Sequence, residues 1–355
     1  MRQSLLNACA GAAAVLAAGL SGPAAAADLP VYIPLGDADR ALIVDPDTDA
    51  VVGAVEDLPN VHGLSVSRNG RVLLAGSLDT WKSGDTAMDK PAGMSADEHA
   101  AHHGGGSGAT AAGDRIGLVS VVDVDAGEVV RRIEVPGAVH HVAVAPDGAF
   151  AVVTHPMTGR ISVVDPGGFK VAAEVEVGSN PNYAVVSPDG DSVYVSAAGA
   201  GTVSEIDADS WRVVREFKVG ASPEHLVLSP DAGRLFVNNV ADGTVSEIDL
   251  AKGAVARTFD IGGALHGIDV SSDGTTLYVS AVDAGEVVAL DLATGMQRRA
   301  RMPASPYHLA RVRPGKLYVS SNEVSRIWAI DAETLERTGA IEVTGTGHQI
   351  AVPGS

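Results

Sequence analysis

Eleven histidines stand in this 355-residue sequence, and seven of them fall at two fixed places in a repeat. Counting back from turns of the type Ser187-Pro188-Asp189-Gly190, the first place holds His62, His140, Asn182, Glu224, His266, Tyr307 and His348. The next holds Gly63, His141, Tyr183, His225, Gly267, His308 and Gln349. Neutral imidazole is a ligand for zinc and copper. Successive side chains on a strand point opposite ways, so one of the two columns is expected to face inward. The first column is favoured: His348, His62 and His140 come from three adjacent repeats and would supply three imidazoles with an open position, with His266 further round the same column. The alternative is a turn histidine that hydrogen-bonds the backbone of a neighbouring repeat.

A second group of candidates lies in one surplus segment. The second repeat is too long, and the excess, at about residues 77–115, is polar and rich in Gly and Ala, as long functional loops or disordered inserts are. It carries Met88, Met94, His99, His102 and His103, followed by the Gly-rich tract Gly104–Gly113. The spacing Met94-x4-His99-x2-His102-His103 resembles the Met/His stretches of periplasmic copper-handling proteins. His155-Pro156-Met157 is the corresponding loop one repeat later. Both loops are expected on the face where the histidine columns begin.

Other chemistries are absent from the sequence. It has no Gly-rich phosphate loop, no G-x-S-x-G elbow and no H-E-x-x-H pair. The single cysteine, Cys9, lies in the N-terminal leader, so disulfides, thiolate ligands and Cys-x-x-Cys-His haem attachment are excluded from the rest. Asp165, Asp207, Asp249, Asp291 and Asp331 recur once per repeat, which points to an Asx-type turn.

The elements that must position the histidines follow from the repeat, whose period is roughly 42 residues. Ser-Pro-Asp-Gly at 187–190 recurs in altered form at 145–148, 229–232 and 271–274, and TVSEID occurs at 202–207 and again at 244–249. Each copy holds four short runs of Val, Ile and Tyr alternating with small or polar residues, such as Phe150–Thr154, Ile161–Asp165, Val171–Val177 and Tyr183–Ser187. Four strands at this period predict an all-β, seven-bladed β-propeller of four-stranded antiparallel blades, spanning 28–355 as one domain.

Leu277–Ser280 and Leu317–Ser320 read Leu-Tyr-Val-Ser, and together with the S-E-I-D and S-P-D-G segments they resemble the YVTN family of β-propeller repeats. The resemblance covers nearly all of residues 31–355. It implies a propeller similar in architecture to those of nitrous-oxide reductase, haem-containing nitrite reductase and periplasmic amine dehydrogenase, with no fixed chemistry. It also implies that the run before S-P-D-G is the inner strand. The segment His348–Val352 should then complete the N-terminal blade and close the ring.

Residues 1–27 have the order of a signal peptide: Arg2, an apolar run at Ala8–Leu20, and small residues ending in Ala25-Ala26-Ala27. The run is too short for a bilayer, which needs about 20 residues. A periplasmic location is expected. The net charge of -19 argues against nucleic acid and anionic lipid as partners. Three functions remain: a binding protein that holds or passes on copper or zinc, a redox subunit with a haem-type cofactor, and a scaffold for another periplasmic protein.

Overall fold

The computed structural model describes residues 29–82 and 115–354. They form seven antiparallel sheets arranged as the blades of a ring. The one helical element among them is a 3-10 turn at Gly36–Ala38. Blade 4 shows the plan: inner strand Pro181–Val186, then Ser192–Ala197, Thr202–Asp207 and outer strand Arg212–Lys218. The inner strands of blades 2, 3, 5, 6 and 7 are Val61–Val66, Val142–Val144, Pro223–Leu228, Leu265–Val270 and Pro306–Arg313.

Blade 1 is built from the two ends of the chain. Val31–Leu35, Arg40–Asp45 and Ala50–Val55 form three of its strands. The inner place is taken by the C-terminal segment, which meets the first strand antiparallel at Tyr32–Ala351 and Leu35–Gly347. Tyr32 and Ala351 exchange hydrogen bonds of 3.0 and 2.9 Å, and His348 N–H donates to Pro34 O at 3.1 Å. The ring is therefore closed as the repeat phase predicted.

The apolar core is divided into seven layers, each between two neighbouring blades. Blade 4 illustrates how one strand serves two of them: Val193 and Val195 pack toward blade 3, and Tyr194 toward blade 5. This is the period-2 alternation of a strand with both faces buried. Because burial is satisfied between blades, the axis of the ring need not be filled by apolar side chains.

The repeated aspartates are turn residues. Asp165, Asp207, Asp249, Asp291 and Asp331 each accept the backbone N–H three residues on, at 2.7–2.9 Å. One boundary differs from expectation. The surplus segment does not begin at Ser77: Trp81–Lys82 forms a short strand paired with Arg115–Ile116, and Trp81 is buried. A large aromatic beside the sheet edge gains more by packing there than by joining the loop. Met88, Met94, His99, His102 and His103 lie outside the described residues.

Candidate metal centre in the channel

The start of each inner strand lies at one end of the axial channel, and the loops between second and third strands surround it. Their carboxylates hold the segments leading into the inner strands. Asp37 accepts from Thr346 N–H at 3.0 Å, Asp242 from Ala221 N–H at 2.7 Å, Asp283 from Ala264 N–H at 3.0 Å and Glu323 from Ser305 N–H at 3.0 Å. Asp79 accepts from the Asn60 side chain at 2.8 Å. This end of the channel thus carries negative charge, which favours approach of cations.

Inside this rim the two columns form two packed tiers. The expectation that only one column faces inward does not hold: His62, His140, His266 and His348 of the first column and His141, Tyr183, His225, His308 and Gln349 of the second line the same closed end. The cause is a break in the pleat. Pairing of the inner strand with its neighbour shifts register between Val61 and Gly63, Pro181 and Ala184, Pro223 and Leu226, Leu265 and Ile268, and Pro306 and Leu309. Those steps bracket both column residues in blades 4 to 7 and His62 in blade 2, and across a bulge strict alternation of side chains is lost.

Glycine decides which side chains meet. In the second column, blades 2 and 6 carry Gly63 and Gly267. Across Gly63, Gln349 of blade 1 reaches His141 of blade 3, with Nε2 atoms 2.9 Å apart. Across Gly267, His225 of blade 5 reaches His308 of blade 7, with ring centroids 4.8 Å apart. A Cβ on Gly267 would stand 2.4 Å from Leu309 N, and one on Gly63 2.8 Å from Val142 N. Close approach of the next blade's backbone therefore requires glycine at both places.

His225, His266 and His308 converge, each offering one nitrogen within 4.8 Å of the others, and all three are buried. His266 Nε2 and His308 Nε2 are 3.1 Å apart. On the other side of its ring, His266 Nδ1 is 3.9 Å from Glu224 Oε2, and both groups are buried. Tyr307 stacks on His266 with centroids 3.7 Å apart and 14° between planes. The backbone carbonyl of His266 accepts from Asn238 Nδ2 at 2.6 Å. The same blade-to-blade bond is made by Ser196 Oγ to Glu224 O at 2.5 Å and by Thr154 Oγ1 to Asn182 O at 2.9 Å. These bonds fix the height of the first column in successive blades.

Among the residues singled out from the sequence, His266 stands in this triad. His62, His140 and His348 are brought together as a stack, with centroids 4.6 Å apart for His62–His140 and 3.6 Å for His62–His348. His62 Nδ1 faces His140 O at 2.7 Å, and His140 Nδ1 faces Asn182 O at 3.1 Å. A carbonyl only accepts, so Nδ1 is the donor in both rings. The stack touches the triad through His348, whose ring lies 4.2 Å from that of His308.

His155 stands apart. Its Nδ1 donates to Ala138 O at 3.0 Å and its Nε2 accepts from Ser162 Oγ at 2.9 Å. Both nitrogens are thus engaged by protein, and burial holds its pKa below the usual histidine value. His141 is similarly kept neutral, its pKa well below the usual range through burial and the neighbouring His225. Sequence reasoning passed over His225 and His308 because it assigned the second column outward. The glycine at Gly267 between them was the available signal.

No family model matches the sequence, and no curated protein matches it. Solved structures do. The chain is similar to hydrazine synthase of Kuenenia stuttgartiensis, with a TM-score of 0.65 and 19% identity, over 83% of this chain and 90% of that one. It is also similar to the dihydro-heme d1 dehydrogenase NirN in complex with DHE, with a TM-score of 0.63 and 16% identity. That match covers 90% of this chain but only 64% of the other protein's length. Identities this low carry the fold and nothing further.

Proposed function

We propose that this chain is an exported propeller of the YVTN-repeat type that binds a transition-metal ion, copper or zinc, through His225, His266 and His308. The observation that carries the reading is the convergence of three buried imidazoles from three consecutive blades. The donor set fits. With metal–nitrogen bonds of about 2.0–2.1 Å, two imidazole nitrogens on a tetrahedral ion lie roughly 3.3 Å apart. The 3.1 Å between His266 Nε2 and His308 Nε2 needs little adjustment, and the 4.8 Å within which all three nitrogens lie requires the rings to draw together around the ion. Glu224, 3.9 Å from His266 Nδ1, is near enough to become the outer carboxylate of a ligating imidazole after a small ring rotation. Three neutral imidazoles suit Cu(II) as well as Zn(II).

In this reading the leader is cleaved before Asp28 and the Met/His segment captures the ion that the channel retains. A haem-type group fits this end of the channel less well, because the rings already touch, with centroids 3.6 Å apart at His62–His348 and 4.2 Å at His308–His348.

The test is isothermal titration of Cu(II) and Zn(II) into metal-stripped protein. Replacing His225, His266 or His308 by Ala should weaken binding by more than about 100-fold, beyond the 10–100-fold typical of losing an outer partner. His62→Ala and His140→Ala should have a smaller effect. Equal binding by the three triad variants and wild type would remove the site. If wild type binds neither ion, the scaffold function takes its place.

A further inference from the structure

Beyond the histidine tiers the channel opens into a cavity of about 380 Å³ that reaches the S-P-D-G turns. Its size is at the low end of the ~300–1,000 Å³ range of small-molecule sites. His141, Tyr183 and Gln349 form its floor and separate it from the metal-binding end. The walls are inner-strand residues, with aliphatic side chains such as Val144, Val227 and Leu228 interspersed with exposed backbone and with Ser65, Asp269 and Arg311.

Two of these inner-strand residues carry charge. At the third place beyond the first column, blades 3 and 4 have Ala143 and Val185, whereas blade 6 has Asp269. One place further, Val144 of blade 3 is matched in blade 7 by Arg311. Blade-to-blade bonding does not require these charges. Asp269 Oδ2 accepts Arg311 N–H at 2.6 Å, but in blade 2 an uncharged Ser65 Oγ makes the equivalent bond to Val144 N–H at 3.0 Å. A charge placed in a channel without structural need is a functional signal.

The guanidinium of Arg311 is held by one contact, Nε donating to Val270 O at 3.1 Å. Among the described residues its two terminal nitrogens donate to no acceptor, and the side chain is half-buried on the cavity. A second cation, Arg68, stands at the outer rim. Asp269 is enclosed by protein except where it meets the cavity, and it accepts Val270 N–H as well as Arg311 N–H. Burial pushes its pKa up, against the pull of the neighbouring Arg311 guanidinium and the two backbone N–H groups.

We propose that the cavity binds a small organic acid, its carboxylate on the terminal nitrogens of Arg311 and its apolar body against Val144, Val227 and Leu228. Guanidinium pairs with carboxylate through two parallel hydrogen bonds, and a half-desolvated setting strengthens them. The aliphatic side chains of Val144, Val227 and Leu228 favour a ligand with a hydrocarbon part over a bare inorganic anion. The assignment does not rest on a metal in the triad.

Isothermal titration of the metal-stripped protein tests it, with benzoate, hexanoate, benzyl alcohol and inorganic phosphate as probes. Benzoate and hexanoate should bind at least tenfold more tightly than benzyl alcohol or phosphate. Arg311→Gln should lower benzoate affinity at least tenfold with an unchanged circular-dichroism spectrum. Val227→Phe, which fills the cavity from another blade, should do the same and decides the matter if Arg311→Gln fails to fold. Lack of binding by either acid, or wild-type affinity in both variants, overturns the proposal. Phosphate binding as tightly as benzoate overturns the organic-acid assignment. Metal is absent throughout, so failure here is distinct from failure of the triad.

Discussion

His225 and His308 lie on blades 5 and 7, yet their rings are 4.8 Å apart, because Gly267 on the blade between them has no side chain. The spacing of the triad is thus set by the absence of a Cβ as much as by its ligands. Gly63 plays the matching part between Gln349 and His141. The two glycines give a paired experiment.

Gly267→Ala should weaken Cu(II) or Zn(II) binding by more than tenfold, and Gly63→Ala should not. The new Cβ at 267 meets Leu309 N at 2.4 Å and the His308 carbonyl carbon at 2.9 Å, backbone that cannot swing aside. At 63 it meets His141 Cα at 2.9 Å and Val142 N at 2.8 Å, on the opposite side of the ring. Each change should cost about 1–3 kcal/mol as overpacking. Thermal melts and metal titrations of both proteins check this; equal loss of metal in both would dissociate Gly267 from the triad.

Asn238 is a positioning residue for His266. Asn238→Ala leaves the buried His266 carbonyl without its 2.6 Å donor, at a cost of about 1–3 kcal/mol. Metal affinity should fall about 10–100-fold, as when an outer partner is lost. Asn238→Ser should restore much of the affinity, since Ser196 makes the same bond in blade 4. A merely structural role predicts lower stability in the Ala variant with metal affinity unchanged.

His155 should make the protein less stable in mild acid. Its pKa is depressed in the folded state, so below the ordinary value of 6.5 the unfolded chain binds a proton that the native chain does not. Stability is therefore full above about pH 6.5 and declines as pH falls, by at most about 1.4 kcal/mol per pH unit for one group. His155→Asn should lose that component of the slope. Urea melts of both proteins at pH 7.5, 6 and 5 measure it; parallel slopes would show that His155 does not titrate differently on folding.

The turn aspartates act lower on the scale. In Asp207, Asp249, Asp291 and Asp331 the pKa is lowered from 3.8, led by hydrogen bonds from Ser210, Lys252, Thr294 and Thr334 respectively. Their stabilisation is present above about pH 4 and is lost as pH falls through their folded-state values. Asp207→Ala should flatten the decline of the melting temperature between pH 5 and 2. An unchanged decline would mean that this turn persists in the unfolded chain.

The propeller was legible because each copy repeats its turn chemistry. S-P-D-G or a variant of it marks blades 3 to 6 and a strand-end aspartate recurs through the repeats, and counting from them aligns histidines far apart in the chain. Which nitrogens converge was not legible. That depends on bulges such as the one between Leu265 and Ile268, which turn His266 and its neighbouring column toward the same axis. Alternation is a property of regular strands, and these residues sit where the strand is irregular. At the near edge of the surplus segment Trp81 packs on the sheet, and 83–114 lie outside the described residues. His155 looked like a ligand, but Ser162 across the hairpin takes its second nitrogen.

Closure of blade 1 bears on the order in which the molecule is made. Leu64 N–H donates to Gln349 across 285 residues of chain, and contacts of such separation form slowly. His62, His140 and His348 stand together only after the first strand has waited for the last. His225, His266 and His308 come from three successive blades, a local unit of the growing chain. The triad can therefore assemble while the ring is still open, and an ion present at that stage would find its ligands before the circle is complete.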